Sequence, residues 1–353
     1  MDNKLNGNEF EQNSNEWHNA EVPNDSQNPT GSYDAMLNST LYNPEVADFE
    51  QMNINSKKIL SRIGLAMSIM AAAILLSQVI ISNIIAIAVP NVQETDWYIW
   101  ALTAVSMYGF GLPVIYLLTR KLPNSPKKPV KKLKIHQFII VLFISVAAMY
   151  LTNLISVFLN LILTIIKGKD ILNPALDAIF HGNFILTFLY ASIGAPIVEE
   201  LIFRKILLDK VRRFGDIPAI LITGIAFGLF HMNIAQMFYA TVLGFIFAYV
   251  TIRTNTIRYA VLLHILINAF GSTIVPFIVR NGNRFQVMLL GSWVLASIII
   301  GVVFFIVFVA VKKKVTFEPG EVYVPKKSVY LLNVGTILFI TICLAMAATV
   351  IFA

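Results

Sequence analysis

Nine apolar runs dominate the sequence from residue 61 to its C-terminus, and they restrict the fold more than any other feature. Of the 353 residues, 57% are hydrophobic and only 13% are charged. An α-helix rises 1.5 Å per residue, so about 20 apolar residues cross a bilayer. The sequence therefore predicts an all-α polytopic membrane protein with about nine transmembrane helices. The predicted spans are 61–89, 97–119, 136–166, 184–208, 217–232, 236–252, 258–279, 288–311 and 329–352.

Two neighbouring runs are too short to span a bilayer in the usual way. Runs 217–232 and 236–252 contain 16 and 17 residues, and a short polar link, Asn233-Ile234-Ala235, joins them. We interpret them as a helical hairpin whose turn lies partly within the membrane. Non-helical backbone at that depth must be buried in protein or line a wet cavity.

Lysine and arginine are distributed unequally between the two sides of the predicted membrane protein. With the N-terminus in the cytoplasm, 22 of them flank the inner ends of the spans and four flank the outer ends. Basic residues accumulate on the cytoplasmic side of membrane proteins. Nine spans then place the C-terminus outside. Because the basic residues cluster beside spans, the expected partner is the lipid bilayer and not nucleic acid.

The N-terminal segment differs in composition from the rest of the chain. Residues 1–56 hold ten acidic residues and one lysine, are rich in asparagine and show no sustained apolar period. Such a composition is typical of disorder, so we predict a disordered acidic cytoplasmic tail, with room for a short helix at 44–54. The other predicted regions are N-terminal membrane helices (57–183), a four-helix catalytic core (184–279) and C-terminal membrane helices (280–353).

Three ionisable residues lie inside one apolar run: Glu199, Glu200 and Arg204. A charged side chain in the bilayer costs roughly 2.5–3.5 kcal/mol even on insertion scales, so such residues need partners and often mark function. Glu200 and Arg204 have i, i+4 spacing with the acid first, which predicts an ion pair. Glu199 points about 100° away from Glu200 on the helix. We therefore expect it to face other helices.

Two histidines and an asparagine in other apolar runs are the predicted partners of Glu199. They are His231, His264 and Asn268, and i, i+4 spacing puts the last two on one helix face. A single such histidine often serves only packing, but the combined set suggests chemistry. By contrast, His18, His136 and His181 lie in the tail or beside spans, where a solvated or interfacial role suffices.

This set suits the attack of water on a carbonyl, as in peptide or ester hydrolysis. A carboxylate that is partly removed from water can act as a general base, and imidazole and amide groups can donate to an oxyanion. Serine or cysteine catalysis is less favoured, because no Gly-x-Ser-x-Gly elbow is present and Cys343 lies in the last run. The zinc-protease motif His-Glu-x-x-His is also absent.

At these positions the sequence resembles the CPBP family of intramembrane proteases, the CAAX-protease and bacteriocin-processing enzymes also called the Abi family. The motifs that carry the resemblance are Glu199-Glu200-x-x-x-Arg204, Phe227-x-x-x-His231 and His264-x-x-x-Asn268, in that order. The resemblance covers about residues 184–279. It implies an integral protein of a bacterial cell membrane that cleaves a membrane protein, a peptide or a prenylated tail.

The resemblance also implies roles for the motif residues. Glu199 would activate water, and Glu200, His231, His264 and Asn268 would complete the catalytic site, supported by Arg204 and Phe227. Family members are described both as metalloproteases and as enzymes with a glutamate mechanism. A zinc ion held by His231, His264 and Glu199 is therefore one expectation. In that case Glu200 or Asn268 would take a larger role, while the metal-free alternative keeps Glu199 as the base.

Two functions from other classes compete with the protease hypothesis. A noncatalytic bacteriocin-immunity or scaffold protein would retain the fold, but it would be expected to lose some site residues, and every motif position is filled. A transporter could also carry ionisable groups in its spans. It would more often show an internal repeat, and we find none in the sequence.

Overall fold

A computed structural model describes residues 44–171, 174–311, 317–320, 322 and 326–352. In this part of the chain ten helices dominate, and eight of them are long and apolar enough to cross a membrane. Helix α6, with 15 residues, is a shorter apolar helix. The protein is thus an all-α polytopic membrane protein. The helices are α1 (Pro44–Ala88), α2 (Tyr98–Thr119), α3 (Ile135–Lys167), α4 (Pro174–His181), α5 (Phe184–Phe214), α6 (Asp216–Phe230), α7 (Ile234–Thr254), α8 (Arg258–Asn281), α9 (Arg284–Ala310) and α10 (Val334–Phe352).

The first helix begins earlier than predicted. Residues 44–56 were assigned to the disordered tail, but they are helical and belong to α1. Proline suits the first turn of a helix, and no proline or glycine follows Pro44 until Gly64. The contacts divide the chain into residues 1–50, of which only 44–50 are described, and residues 51–353. The predicted disorder of residues 1–43 lies outside the described residues.

The predicted helical hairpin is present as α6 and α7, although α7 is longer than predicted. The turn between them contains Met232 with a φ of 52° and Asn233, which caps α7. The Asn233 side chain accepts from the backbone N–H of Gln236 at 2.9 Å and donates to the carbonyl oxygen of His231 at 2.7 Å. The turn thus satisfies its own polar groups, as burial within a membrane requires. It also fixes His231 at the end of α6.

Glycines allow α6 and α7 to pack with their backbones in close approach. A Cβ atom on Gly244 would lie 2.8 Å from the Cα atom of Gly224. One on Gly228 would lie 1.8 Å from the hydroxyl oxygen of Thr241. Small residues of this kind let membrane helices approach closely. The approach brings the backbone of α7 next to α5, which carries the paired carboxylates.

Three helices contain widened π-helical stretches, and three of the four stretches end two residues before a proline. The stretches are Val105–Gly111 in α2, Phe188–Gly194 and Leu201–Leu207 in α5, and Ala269–Ile274 in α8. The prolines are Pro113, Pro196 and Pro276. Proline lacks an N–H group and its ring clashes with the carbonyl group four residues earlier. Widening of the preceding turn relieves that clash and changes the direction of the side chains that follow.

A polar junction joins four connections on the side where the charge distribution places the cytoplasm. Asp216, at the start of α6, accepts from Nε of Arg212 and from the backbone N–H of Glu318, both at 3.1 Å. Arg212 also donates to the side chain of Asn255 at 2.8 Å. The Glu318 carboxylate pairs with Lys128. This junction fixes the first turn of α6, whose other end precedes His231.

Candidate active site

The predicted ion pair between Glu200 and Arg204 is present and lies deep inside the protein. The Nε atom of Arg204 is 3.3 Å from Oε2 of Glu200, and both side chains are 0% exposed. Arg204 also donates from Nη2 to the carbonyl oxygen of Gly244 at 3.3 Å. Its guanidinium lies 4.6 Å from the ring centre of Phe227, a cation–π distance. The buried charge of each partner is therefore offset by the other, with aromatic faces and one backbone carbonyl around it.

His264 lies between the two adjacent carboxylates. Its Nδ1 atom is 3.0 Å from Oε1 of Glu200, and its Nε2 atom is 3.6 Å from Oε2 of Glu199. Glu199 was expected to be the carboxylate nearer both imidazoles, with the reverse transferring the base role to Glu200, and for His264 the distances are the reverse of that expectation. Glu199 is kept as the proposed base because Glu200 is fully buried and already contacts both Arg204 and His264. Neighbouring helix positions point about 100° apart, and an imidazole has a nitrogen on each side of the ring. One ring placed in that angle can therefore face both carboxylates.

Solvent access distinguishes the two carboxylates more clearly than distance does. The Glu199 side chain is 15% exposed, whereas that of Glu200 is fully buried. Glu200 already contacts Arg204 and His264, so its oxygens hold protein groups in place. Glu199 is thus the more accessible of the two carboxylates.

His231 is half-buried at the end of α6 and lies near the same aromatic ring as His264. Its Nδ1 atom is 2.9 Å from the carbonyl oxygen of Phe227, which leaves Nε2 available for another partner. The Phe227 ring contacts both imidazoles edge-on, with centroid distances of 5.0 Å to His231 and 5.6 Å to His264. Phe227 thus packs against both imidazoles.

Asn268 contacts α5 through a carbonyl group next to the proline-induced widening. Its Nδ2 atom donates to the carbonyl oxygen of Ala191 at 3.0 Å. In a π-helix that carbonyl would accept from the residue five positions later, which is Pro196 and has no N–H group. Asn268 therefore supplies a donor that the helix lacks. One amide hydrogen remains for another acceptor, and its predicted role toward an oxyanion stays a prediction.

The metal expectation stays a prediction as well. Among the described residues, no group of three or more histidine, cysteine, aspartate or glutamate side chains is arranged to hold a metal ion. One nitrogen of His264 contacts Glu200, and the other faces Glu199 from 3.6 Å. His231, His264 and Glu199 thus do not form a preassembled ligand set here.

The sequence analysis missed Tyr108, which contacts the helix that carries Glu199. Its hydroxyl group donates to the carbonyl oxygen of Gly194 at 2.7 Å. Tyr108 lies outside the three motifs. Tyrosine within apolar runs was the available signal, but the sequence holds 12 tyrosines and the signal is weak.

Comparison with known proteins finds similarity in the part of the chain that carries this site. The sequence model of the family described as "Type II CAAX prenyl endopeptidase Rce1-like" matches residues 181–270. A relative from Bacillus subtilis (strain 168), named "Putative membrane peptidase YdiL", is 34% identical over 86 residues, which are 24% of this chain and 35% of the relative. The chain thus matches about a third of that relative's length. No solved structure matches.

Proposed function

We propose that this chain, an integral membrane protein whose residues 181–270 belong to the CPBP family, is an intramembrane endopeptidase that uses a glutamate-activated water. The observation that carries the proposal is the position of His264 between two carboxylates, of which Glu199 is partly exposed and Glu200 is fully buried. The family match and the membrane-peptidase relative support a protease of this kind. All the residues that the mechanism needs lie in the matched segment.

In the proposed reaction Glu199 is the general base. It takes a proton from a water molecule, and the water oxygen attacks the carbonyl carbon of the scissile peptide bond. The electron pair of the carbonyl moves to its oxygen and forms a tetrahedral oxyanion. When this intermediate collapses, the C–N bond breaks and the leaving nitrogen takes the proton back from Glu199. The products are a carboxylic acid and an amine, and the Glu199 carboxylate is regenerated.

The neighbouring side chains have distinct proposed roles in this reaction. In this proposal His264 is the protonated imidazolium, which donates from Nδ1 to Glu200 and from Nε2, on the side of Glu199, to the oxyanion. The second amide hydrogen of Asn268 is the other proposed donor. His231, whose Nδ1 faces a backbone carbonyl, would accept a hydrogen bond from the attacking water through Nε2. Arg204 balances the charge of Glu200 and does not touch the substrate.

The proposed substrates are membrane-associated peptides, including peptides with a prenylated cysteine three residues before the C-terminus. This proposal rests on the family description, which names prenyl endopeptidases. The site lies among apolar helices, so a substrate that partitions into the bilayer would reach it at a high local concentration. Zinc is a separate proposal, because two imidazoles and a carboxylate could bind it after rearrangement.

The decisive experiment uses two quenched fluorescent peptides that share one cleavable sequence and differ in the group that anchors them to the membrane. One carries a farnesylated cysteine three residues before its C-terminus, and the other carries an apolar membrane-spanning segment instead. Purified wild type in liposomes should cleave at least one of them, and Glu199→Gln should cleave neither while remaining folded. Activity that survives exhaustive chelation would favour the glutamate mechanism. Cleavage by Glu199→Gln at the wild-type rate would refute the assigned base, and a wild type inactive on both peptides would favour a noncatalytic scaffold.

A further inference from the structure

Helix α2 lies outside the segment 181–270 that matches the protease family, yet it contacts the helix that carries Glu199. The hydroxyl group of Tyr108 donates to the carbonyl oxygen of Gly194 at 2.7 Å, across 86 positions of sequence. A second contact joins the rings of Trp100 and Tyr190, whose centroids are 5.6 Å apart. Both contacts reach the widened stretch Phe188–Gly194 of α5. Helix α2 therefore braces the turn that leads into the paired carboxylates.

A contact to the Gly194 carbonyl group can affect the backbone position of Glu199. A helical carbonyl normally accepts from the amide four residues later, or five residues later in a π-helix. For Gly194 these amides belong to Val198 and Glu199. The Tyr108 hydroxyl thus bonds to the carbonyl that aligns the backbone of the proposed base. Pro196 removes a neighbouring bond of the same ladder, so this turn has fewer internal bonds than an ordinary helix.

Tyr108, like Gly194, lies in a π-helical stretch that precedes a proline. It lies in the π-helical stretch Val105–Gly111, which ends two residues before Pro113. Its side chain is 39% exposed, so it does not serve mainly to fill the core. Its hydroxyl group reaches the Gly194 carbonyl oxygen, five residues before Glu199 on α5.

We propose that Tyr108 is a positioning residue for Glu199, which acts by fixing the Gly194 carbonyl and with it the direction of the Glu199 carboxylate. This inference rests on the proposed function, because Glu199 must be the base for its direction to matter. It assigns part of the active site to a helix outside the family core. A general base must lie within hydrogen-bond reach of the proton that it abstracts. A misplacement of about 1 Å can cost 10²-fold in rate.

The test compares Tyr108→Phe, which removes only the hydroxyl oxygen, with Tyr116→Phe on the same helix. Tyr116 is exposed and serves as the matched control. Cleavage of the farnesylated peptide should show kcat for Tyr108→Phe reduced about tenfold or more, within the range expected for misplaced groups. KM should change less than about twofold, because substrate binding is not touched. Tyr116→Phe should match wild type in both values.

A second readout does not depend on catalysis. Amide hydrogen exchange of the peptide that spans residues 195–200 should be faster in Tyr108→Phe than in wild type and in Tyr116→Phe. Unchanged exchange together with unchanged kcat would overturn the proposal while leaving the proposed function intact. Faster exchange with unchanged kcat would also overturn it, since the contact would then be structural only. If wild type cleaves neither peptide, the proposed function fails and the catalytic role of Tyr108 fails with it.

Discussion

Nδ1 of His264 lies 3.0 Å from Oε1 of Glu200, although the two residues are 64 positions apart and on different helices. The other oxygen of the same carboxylate faces Arg204. Glu200 therefore links α5 to α8 and balances a buried cation at the same time. The adjacent Glu199 lies 3.6 Å from the other nitrogen of His264 and is partly exposed. The two acids are the same residue type, so the different roles proposed for them rest on their surroundings.

Substitution of each acid by glutamine should separate these roles. Glu199→Gln should lower turnover about 10²-fold or more, the usual contribution of a general base, with little change in the midpoint of thermal unfolding. Glu200→Gln should lower that midpoint, because it leaves the Arg204 charge buried without an anion. Both variants are measured by peptide cleavage and by thermal unfolding in the same detergent. Equal stability of the two variants would contradict the assignment.

Removal of the buried cation should be costly. Arg204→Met should destabilise the fold by about 3–5 kcal/mol, since Glu200 keeps its charge in the core without the arginine that offsets it. The neighbouring pair of Lys205 and Asp209 has the same i, i+4 spacing at 3.2 Å but is exposed. Lys205→Met should therefore cost only about 0–1 kcal/mol. Denaturant titration in mixed micelles measures both values, and similar losses for the two variants would show that burial does not control the effect.

Close packing between α6 and α7 can be tested with a single methyl group. Gly228→Ala should destabilise by about 1–3 kcal/mol, because the new Cβ atom would overlap the Thr241 hydroxyl. Gly291 in α9 is the control, since a Cβ atom there would meet nothing within 4 Å. Gly291→Ala should be neutral or gain up to about 1 kcal/mol from helix propensity. The ranking fails if unfolding measurements show Gly291→Ala to be the less stable variant.

The orientation predicted from the basic residues can be checked by labelling. In a background with Cys343→Ala, which removes the chain's single cysteine, Lys127→Cys should react with a membrane-impermeant thiol reagent only after the cells are opened. Glu94→Cys, in the connection between α1 and α2, should react in intact cells. The physical reason is the excess of basic residues on the inner side. The opposite labelling pattern would invert the topology.

The polar junction should weaken in acid. The hydrogen bond and charge of Lys128 hold the pKa of Glu318 below its usual value. A depressed pKa in the folded state means that the ionised form stabilises the fold. This contribution is complete above the unfolded pKa of about 4.3 and is lost as the pH falls through the folded value. The protection factor of the Asp216 amide, which corrects for the intrinsic exchange rate, should therefore fall below about pH 4, and Lys128→Met should remove much of that pH dependence.

Local spacing allowed part of the site to be predicted from the sequence. The pair of Glu200 and Arg204 follows from helical periodicity, and its formation needs no other helix. Length and composition likewise predicted the membrane helices. The low apolar content of residues 1–56 predicts a disordered tail with room for a short helix at 44–54, whereas in the structure residues 44–56 are the start of the longer helix α1.

Contacts between helices could not be predicted in the same way. The position of His264 depends on how α8 rotates against α5, and no pattern within either helix records that rotation. The bond from Asn268 to the Ala191 carbonyl depends on a widened turn that Pro196 produces one helix away. Tyr108 lies still further from the motifs. In each case the relevant quantity is the register between two helices, which many side chains determine together.

The widened turn before Pro196 links two kinds of sequence change, a substitution at position 196 and the deletion of one residue from the first half of α5. A π-helical turn accommodates one residue more than the α-helical turn that it replaces. A related chain with another residue at position 196 would lose the cause of the widening, and Glu199 would then rotate by about 100° relative to α8. Deletion of one residue between Phe184 and Glu199 would rotate it back. Relatives that lack this proline are therefore expected to be one residue shorter in the first half of α5.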